Sequence, residues 1–497
     1  MDSKSIIIIG GGLAGLSAGC YAQMNGYSSG IFELHSLPGG VCTAWKRHGY
    51  TMDSCIHWLM SCKPGSSFYP LYRELGVMDG SPIQPITEFA SFLDEKTGQT
   101  LSVTSDLNKL GEDMKSISPE DTAVIDELIR CSKALQGFDS GIPKPPELSG
   151  AADTLKMLWK FRRVLKYLFR YGMPVEELAG RFNHPFLQQC IKNIFLPTMP
   201  AYFLFAILGQ LADGQLCRYQ GGSLSFSEAI AARYADLGGT VTYNTEVAEI
   251  LVEDDTAVGI RLSDGTEHRA DIVISAADGH STIFNMLGGR YIDTALVHRY
   301  DNWPLFSGLI ICSFGVARSF AGESPAKTIL LDNPLDTGCK RPDSLLLRIL
   351  NYDPSLAPDG KTVVQVVLES DFDYWNELYK DNDRYTAQKT RISNQVLAWL
   401  ESLYPGVTSQ VEVADAATPY TYWRYTRNFK GSYEGWMMTP ETIRTQIPKT
   451  LPGLKSFYMA GQWVEPGGGI PPALYSGRNV IQIICKQDGK RFTAVRS

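Results

Sequence analysis

The sequence predicts an α/β protein in which a domain built on a buried parallel sheet is interleaved with a second, α+β domain. Two observations carry this. A strand, a glycine turn and a helix succeed one another at residues 5–26, and the same succession returns near the other end of the chain at residues 456–477. A third is size: 497 residues exceed the ~250–300 at which one core stops growing, so the chain divides into two domains or carries a large insertion. With 44% hydrophobic and 20% charged residues, the chain has the make-up of an ordinary globular protein, and it carries no internal repeat or low-complexity tract. A formal net charge of -7 excludes a nucleic-acid protein, because phosphate binding needs a strongly basic surface.

The ten cysteines are scattered, with no CxxC pair and no Cys/His cluster at metal-ligand spacing. They read as reduced thiols of a cytoplasmic protein, and no metal is expected. The N-terminus holds one lysine and then runs from Ile6–Ile9 into the glycine turn, so no secretory signal is expected.

In the first unit, Ser5–Ile9 is a β-branched run suited to a parallel strand buried on both faces. Gly10-Gly11-Gly12-Leu13-Ala14-Gly15 follows at once, and Leu13 to Gly26 reads as a helix ending at a glycine. Ser29–Leu34 supplies a second strand and places Glu33 twenty-three residues after Gly10, where a carboxylate accepts hydrogen bonds from a ribose 2′-hydroxyl. Together these make a Rossmann-type dinucleotide unit. Gly10 permits the tight turn, Gly12 lets the backbone approach a pyrophosphate, and Gly15 lets helix and strand pack closely. The diphosphate then sits at the positive end of the helix dipole. An acidic residue at the ribose position disfavours a 2′-phosphate, which leaves NAD or FAD.

Three further blocks complete the pattern. Pro38-Gly39-Gly40 follows the ribose carboxylate directly. Tyr219–Leu224 leads into an apolar helix over Phe226–Leu237, and Gly238-Gly239 precedes a β-rich stretch at Thr240–Ile250. Near the C-terminus Ser456–Trp463 reads as a strand and turn, Glu465-Pro466-Gly467-Gly468-Gly469-Ile470-Pro471-Pro472 as a glycine turn opening a proline-started helix. No second strand–GxGxxG–helix unit appears, so no dedicated NAD(P)H domain is expected, and the electron acceptor stays open.

On Gly10–Gly40, Asp53–Leu59, Thr418–Thr426 with Gly431–Trp436, and Ala460–Gly477, the chain resembles the phytoene desaturase, carotenoid isomerase and retinol saturase family of FAD oxidoreductases over nearly its full length. That resemblance implies FAD as cofactor. It implies cofactor contacts at Gly10, Gly12, Leu13, Ala14, Gly15, Glu33, Gly39, Gly40 and Gly461. Backbone contacts to adenine would come from Val247, and Gly468, Gly469 and Ile470 would face the N1–C2 edge of the flavin. The cofactor domain is then 1–60, 215–300 and 446–497, and the substrate domain 61–214 and 301–445. The implied activity is desaturation, saturation or isomerisation of an isoprenoid, polyene or other unsaturated lipid, an apolar small-molecule substrate. His57 and Arg424 are the candidate catalytic side chains, with Asp53 a weaker one; beside Trp58, His57 reads equally as a packing residue. Val41 stands where amine oxidases often carry Arg, which argues against an amine oxidase. Ser54-Cys55 stand where a glycine is usual. A non-catalytic lipid-handling protein resembling the Rab GDP-dissociation inhibitors is the reading from another class; the intact glycine turns and Glu33 speak against it.

Two segments raise the question of membranes. Leu155–Tyr171 reads as one amphipathic helix with Lys156, Lys160, Arg162, Arg163, Lys166 and Arg170 on one side and Leu158, Phe161, Val164, Leu165, Leu168 and Phe169 opposite. It suits peripheral contact with an anionic membrane, or a surface helix packed on the core. Ile194–Ala212 has nineteen residues without a charge, but Pro197 and Pro200 predict a loop and then a helix of about twelve residues, buried or forming the wall of an apolar tunnel. Thr418–Thr426 reads as strands lining the pocket, or as core.

Overall fold

A computed structural model describes residues 3–79, 83–138, 141–162 and 164–495. Five short strands make a parallel sheet in the order Phe457–Met459, Ile272–Ser275, Ser5–Ile9, Ser28–Phe32 and Thr240–Thr242. Ile8, in the middle of this sheet, is fully buried, as a β-branched run covered on both faces requires. The opening helix, Leu13–Met24, crosses the sheet against the C-terminal helix Ile470–Gln487, so the two ends of the chain pack on each other. That crossing is close because Gly477 has no side chain: a Cβ there would lie 2.4 Å from the carbonyl oxygen of Ala14. Ser17 adds a hydrogen bond, its hydroxyl donating to the carbonyl of Leu474 at 2.6 Å.

A second sheet has seven strands in the order Val411–Ala417, Leu309–Val316, Thr362–Glu369, Ser344–Ile349, Ala326–Leu330, Glu88–Asp94 and Thr100–Thr104. It is antiparallel except where Ala326–Leu330 runs parallel to Glu88–Asp94. Its strands alternate with period two. Ile310, Cys312, Phe314, Leu347, Val366 and Leu368 join a core completed by Trp375, Val396 and Trp399 from the helices Phe372–Leu378 and Asn382–Leu403. Leu309, Ile311, Leu346, Arg348 and Val367 turn to the opposite face and line a large cavity. The two sheets draw on stretches of chain that alternate along the sequence.

Three segments differ from their expected form. Thr418–Thr426 is a helix, Pro419–Thr426, not strands: Thr418 caps it by accepting from the Thr421 N–H at 3.3 Å, and Pro419 starts it. A cap and an N1 proline outweigh the β-propensity of the aromatic residues that follow. Leu155–Tyr171 is two helices, Ala151–Phe161 and Leu165–Arg170, rather than one. The break lets Val164 and Tyr167 turn onto the helical core beneath; Arg163, counted above on the basic face, lies outside the described residues. Cys62 and Cys217 form a disulfide, so not every thiol is free as composition suggested; the pair joins residues 155 apart and is held opposite by the backbone bridge between Leu59 and Cys217. The apolar stretch at 194–212 has its expected form, a loop and the twelve-residue helix Ala201–Ala212, most of it buried. Among the described residues no helix is long and apolar enough to cross a membrane.

Candidate active site

The glycine turn after the opening strand is built for an anion. Gly10 takes φ +96 and tucks beneath the helix, where the position of Gly15 is closed to any side chain: a Cβ there would lie 1.9 Å from the Gly10 carbonyl oxygen. Gly12 is the opposite case. It has ordinary backbone angles, φ -69 and ψ 177, and caps the helix with no side-chain hydrogen bond. A Cβ added there meets nothing nearer than 3.9 Å, so the first N–H groups of the helix look onto open space. Glu33, 6% exposed, closes the turn by accepting from the N–H of Gly11 at 2.5 Å and of His35 at 2.7 Å. Burial pushes its carboxyl up from the ordinary value.

The C-terminal turn is the counterpart. Gly467, Gly468 and Gly469 all have positive φ, and the helix that begins at Ile470 has no side-chain cap either. Three contacts fix the turn. The N–H of Gly461 donates to Ser476 Oγ at 2.8 Å, the buried Lys449 pairs with Glu465 at 2.6 Å, and the Trp436 indole donates to the Trp463 carbonyl at 3.2 Å.

Both turns open into one cavity of about 1960 Å³, well beyond the ~300–1,000 Å³ of a site for a single small ligand. It holds room for a dinucleotide and a second molecule. Gly10, Gly12, Leu13, Ala14, Glu33, Gly39, Gly40, His57, Val247, Gly461, Gly468, Gly469 and Ile470 all line it. Gly15 does not, since its part is the packing just described. Arg424 does not either: it is exposed, with its guanidinium 5.0 Å from the ring of Tyr425, and the structure removes it from the candidate catalytic set. Asp53 is buried and turned to structural work, accepting from Ser223 N at 2.7 Å, Ser223 Oγ at 2.5 Å and Cys55 N at 3.1 Å.

His57 lines the cavity. Its ring projects into the cavity, exposed to that space while protein surrounds it, and burial together with the charge of Arg348 holds it well below the usual imidazole range. The backbone just before it is fixed at Ile56, whose N–H donates to Ser223 Oγ at 2.7 Å and whose carbonyl accepts from Arg348 at 3.3 Å.

Glu434 escaped the sequence reading, although it lies inside the Gly431–Trp436 block. Its carboxylate rests against the C-terminal turn; a Cβ on Gly468 would be 2.7 Å from its Oε2. Burial, with no hydrogen-bonding partner among the described residues, pushes it up to about 7. A carboxyl that is half-protonated at neutral pH, facing a cavity, is equipped to move a proton. One stretch of the cavity wall is apolar and aromatic. Trp58 stands edge-on to Phe89 and Phe195 at 5.4 and 5.7 Å, and Leu196, Phe203 and Ile207 continue the wall.

Solved oxidoreductase structures share this fold. The fold matches an oxidoreductase from Methanosarcina mazei with a TM-score of 0.59 at 16% identity, covering 96% of this chain and 100% of that one. It matches cyclohexylamine oxidase from Brevibacterium oxydans with the same TM-score at 14% identity, covering 98% and 100%. Among curated sequences, prolycopene isomerase of Arabidopsis thaliana is 23% identical over 95% of this chain and 81% of its own length. The lycopene-forming phytoene desaturase of Pseudescherichia vulneris is 22% identical over 97% and 99%. The family model of flavin containing amine oxidoreductases matches residues 13–485. With both glycine turns intact at the mouth of one cavity, FAD is the cofactor, and the chain belongs to the flavin containing amine oxidoreductase family.

Proposed function

We propose that the protein is an FAD-dependent oxidoreductase acting on carbon–carbon bonds of an isoprenoid, polyene or other unsaturated lipid. The observation that carries this is the cavity: it runs from the two glycine turns into an aromatic and aliphatic chamber, with the carboxyl of Glu434, which has no hydrogen-bonding partner among the described residues, against the C-terminal turn. The relatives matched along the whole chain are named as polyene isomerases and desaturases, which supports the same substrate class. FAD supplies hydride acceptance or donation at flavin N5. The chain's own residues do the rest. Gly10, Gly12, Leu13, Ala14 and Gly39–Gly40 would hold the pyrophosphate and Glu33 the ribose, with Gly15 keeping the turn close. Val247 would meet the adenine, and Gly461 with Gly468–Ile470 the flavin. The chamber around Trp58, Phe195 and Phe203 orients the chain and excludes water. Glu434 holds or takes the proton, with His57 as a further titratable group on the cavity wall. On this reading residues 1–60, 215–300 and 446–497 act as the cofactor domain and 61–214 and 301–445 as the substrate domain.

A flavin amine oxidase is the second reading, and the cavity disfavours it. The charge that acts on His57 is the buried guanidinium of Arg348, which repels an ammonium substrate. The visible spectrum of the purified protein tests the main reading. A flavin spectrum that bleaches anaerobically with dithionite and returns on adding a polyene is the expected result. A colourless protein that cannot be reconstituted with FAD overturns it and favours lipid carriage without catalysis.

Access from a membrane belongs to this proposal, for a protein working in the cytoplasm against a lipid surface. Helix Ala151–Phe161 buries no residue. Leu155, Trp159 and Phe169 are 69%, 68% and 81% exposed, while Lys156, Met157, Lys160, Phe161 and Leu168 line the cavity where it reaches the surface. Apolar side chains left in water beside basic ones, at a cavity mouth, fit an anionic interface better than a packed core face. Sedimentation with vesicles containing phosphatidylserine is expected to carry the protein down, less so with phosphatidylcholine alone. Trp159→Ala with Phe169→Ala is expected to weaken binding at least tenfold, on the scale of ~25 cal/mol per Å² of apolar area for two aromatic side chains. Equal binding by that variant would remove these helices from the contact.

A further inference from the structure

One corner of the chamber is at odds with a plain hydrocarbon. Arg348 stands on the cavity-facing row of strand Ser344–Ile349, and Arg218 lies on the short strand Cys217–Tyr219; they are 3% and 9% exposed, and both line the cavity. Among the described residues, every oxygen that hydrogen-bonds either guanidinium is neutral. Arg348 donates to the carbonyls of Asp53 at 3.1 Å and Ile56 at 3.3 Å and to Gln365 Oε1 at 2.9 Å. Arg218 has one long bond to the Glu88 carbonyl at 3.4 Å and lies 5.0 Å from the ring of Tyr352. Of the neighbouring carboxylates, Asp53 is committed to Ser223 and Cys55 and Asp353 to the N–H groups of Gly221 and Ser355, while the charge of Glu88 acts on Arg218 without a hydrogen bond to it among the described residues. None of the three lines the cavity. The two cations also press on each other: burial lowers Arg218 from its ordinary value, and Arg348 adds to the lowering.

Buried cations with no anion hydrogen-bonded to them are costly, and a planar guanidinium fork matches the oxygens of a carboxylate or phosphate. A carotene could offer them nothing. Building on the function proposed above, we infer that the substrate is an unsaturated lipid with an anionic head group, held by Arg218 and Arg348 beside His57, with its unsaturated chain in the aromatic chamber. A head group anchored there fixes the register of the chain, and so selects which double bond reaches the junction of the turns.

The test titrates the FAD-loaded protein with linoleate, methyl linoleate and geranylgeranyl phosphate, following the perturbation of the flavin spectrum. Linoleate or geranylgeranyl phosphate is expected to bind about 10- to 100-fold tighter than the ester, the range of one or two charge-assisted hydrogen bonds. Whichever anion binds tighter identifies the head group as carboxylate or phosphate. In the Arg218→Gln, Arg348→Gln double variant that preference is expected to vanish, and the Lys versions are expected to restore part of it. Three results overturn the inference. They are an ester that binds as tightly as both anions, a preference that survives in the double variant, and loss of FAD from a double variant with unchanged thermal unfolding, which would assign the arginines to the cofactor. The comparison on the unaltered protein decides the matter even where the double variant fails to fold. Reoxidation of the reduced flavin by phytoene without any anion preference would leave the proposed function standing while removing the head group.

Discussion

Glu434→Gln is expected to keep FAD bound and to lower turnover by about 10²- to 10⁴-fold, the contribution of a positioned acid or base. The replacement preserves the size of the side chain that lies against Gly468, so the C-terminal turn should be undisturbed and the flavin spectrum unchanged. What it removes is the one carboxyl that burial has raised to about 7. The wild-type pH profile is therefore expected to bend near 7 and the variant's to be flat there. The sense of the bend reads out the chemistry. A proton donor is active below its own titration and fails above it; a proton acceptor does the reverse. The same titration reaches stability. The folded-state value lies above the ordinary 4.5, so the folded protein binds more protons than the unfolded chain between 4.5 and about 7. Stability from this residue is full below 4.5 and is lost as pH rises through about 7, by up to about 3 kcal/mol. Glu434→Gln should remove that slope, making the variant the more stable protein at pH 8 in thermal unfolding. Unchanged turnover with an unchanged pH profile would take Glu434 out of the chemistry.

The two ends of the chain were legible because their signals are stereochemical. Gly10, Gly12 and Gly15 each answer a separate requirement of backbone or packing, and the spacing to Glu33 leaves little else that the segment can form. The parallel sheet, the helix after each turn and the apolar helix at 201–212 follow from such local rules. The chamber was legible only as a region. Arg348 carried a signal of its own, a lone cation in the apolar strand Ser344–Ile349, but its meaning depends on Ile56 and Gln365, which the sheet and the His57 segment bring to it from distant parts of the sequence. Glu434 is a glutamate in a loop until the C-terminal turn folds over it and excludes water. The helix at Pro419–Thr426 was readable in principle from Thr418 and Pro419, and the aromatic run hid it. The single helix expected at 155–171 was a matter of periodicity alone, which cannot see the core that draws Val164 and Tyr167 inward.

The pair Gly12→Ala and Gly15→Ala separates cofactor binding from folding at two positions three residues apart. At Gly15 a Cβ would lie 1.9 Å from the carbonyl oxygen of Gly10 and 3.3 Å from the side chain of Ala276. The first of these is backbone held in the sheet, so the opening helix must shift off the strand. Gly15→Ala is expected to lose at least the ~1–3 kcal/mol of an overpacked core, to unfold at lower temperature and to reach the soluble fraction in reduced amount with or without added FAD. At Gly12 the backbone is one that any residue adopts, and the nearest atoms to a Cβ are 3.9 and 4.0 Å away on Gly39 and Gly40. Nothing in the protein opposes a methyl group there. Only a ligand brought against the helix N-terminus would meet it. Gly12→Ala is therefore expected to purify in normal yield, with the thermal stability of the FAD-free wild-type chain and with FAD affinity reduced about 100-fold, some 2.7 kcal/mol. FAD content per chain, thermal unfolding before and after stripping the flavin, and reconstitution titrations measure all of this. A Gly12→Ala protein that binds FAD as the wild type does would mean that the pyrophosphate does not approach this turn, and the placing of the cofactor along the N-terminal unit would have to be abandoned.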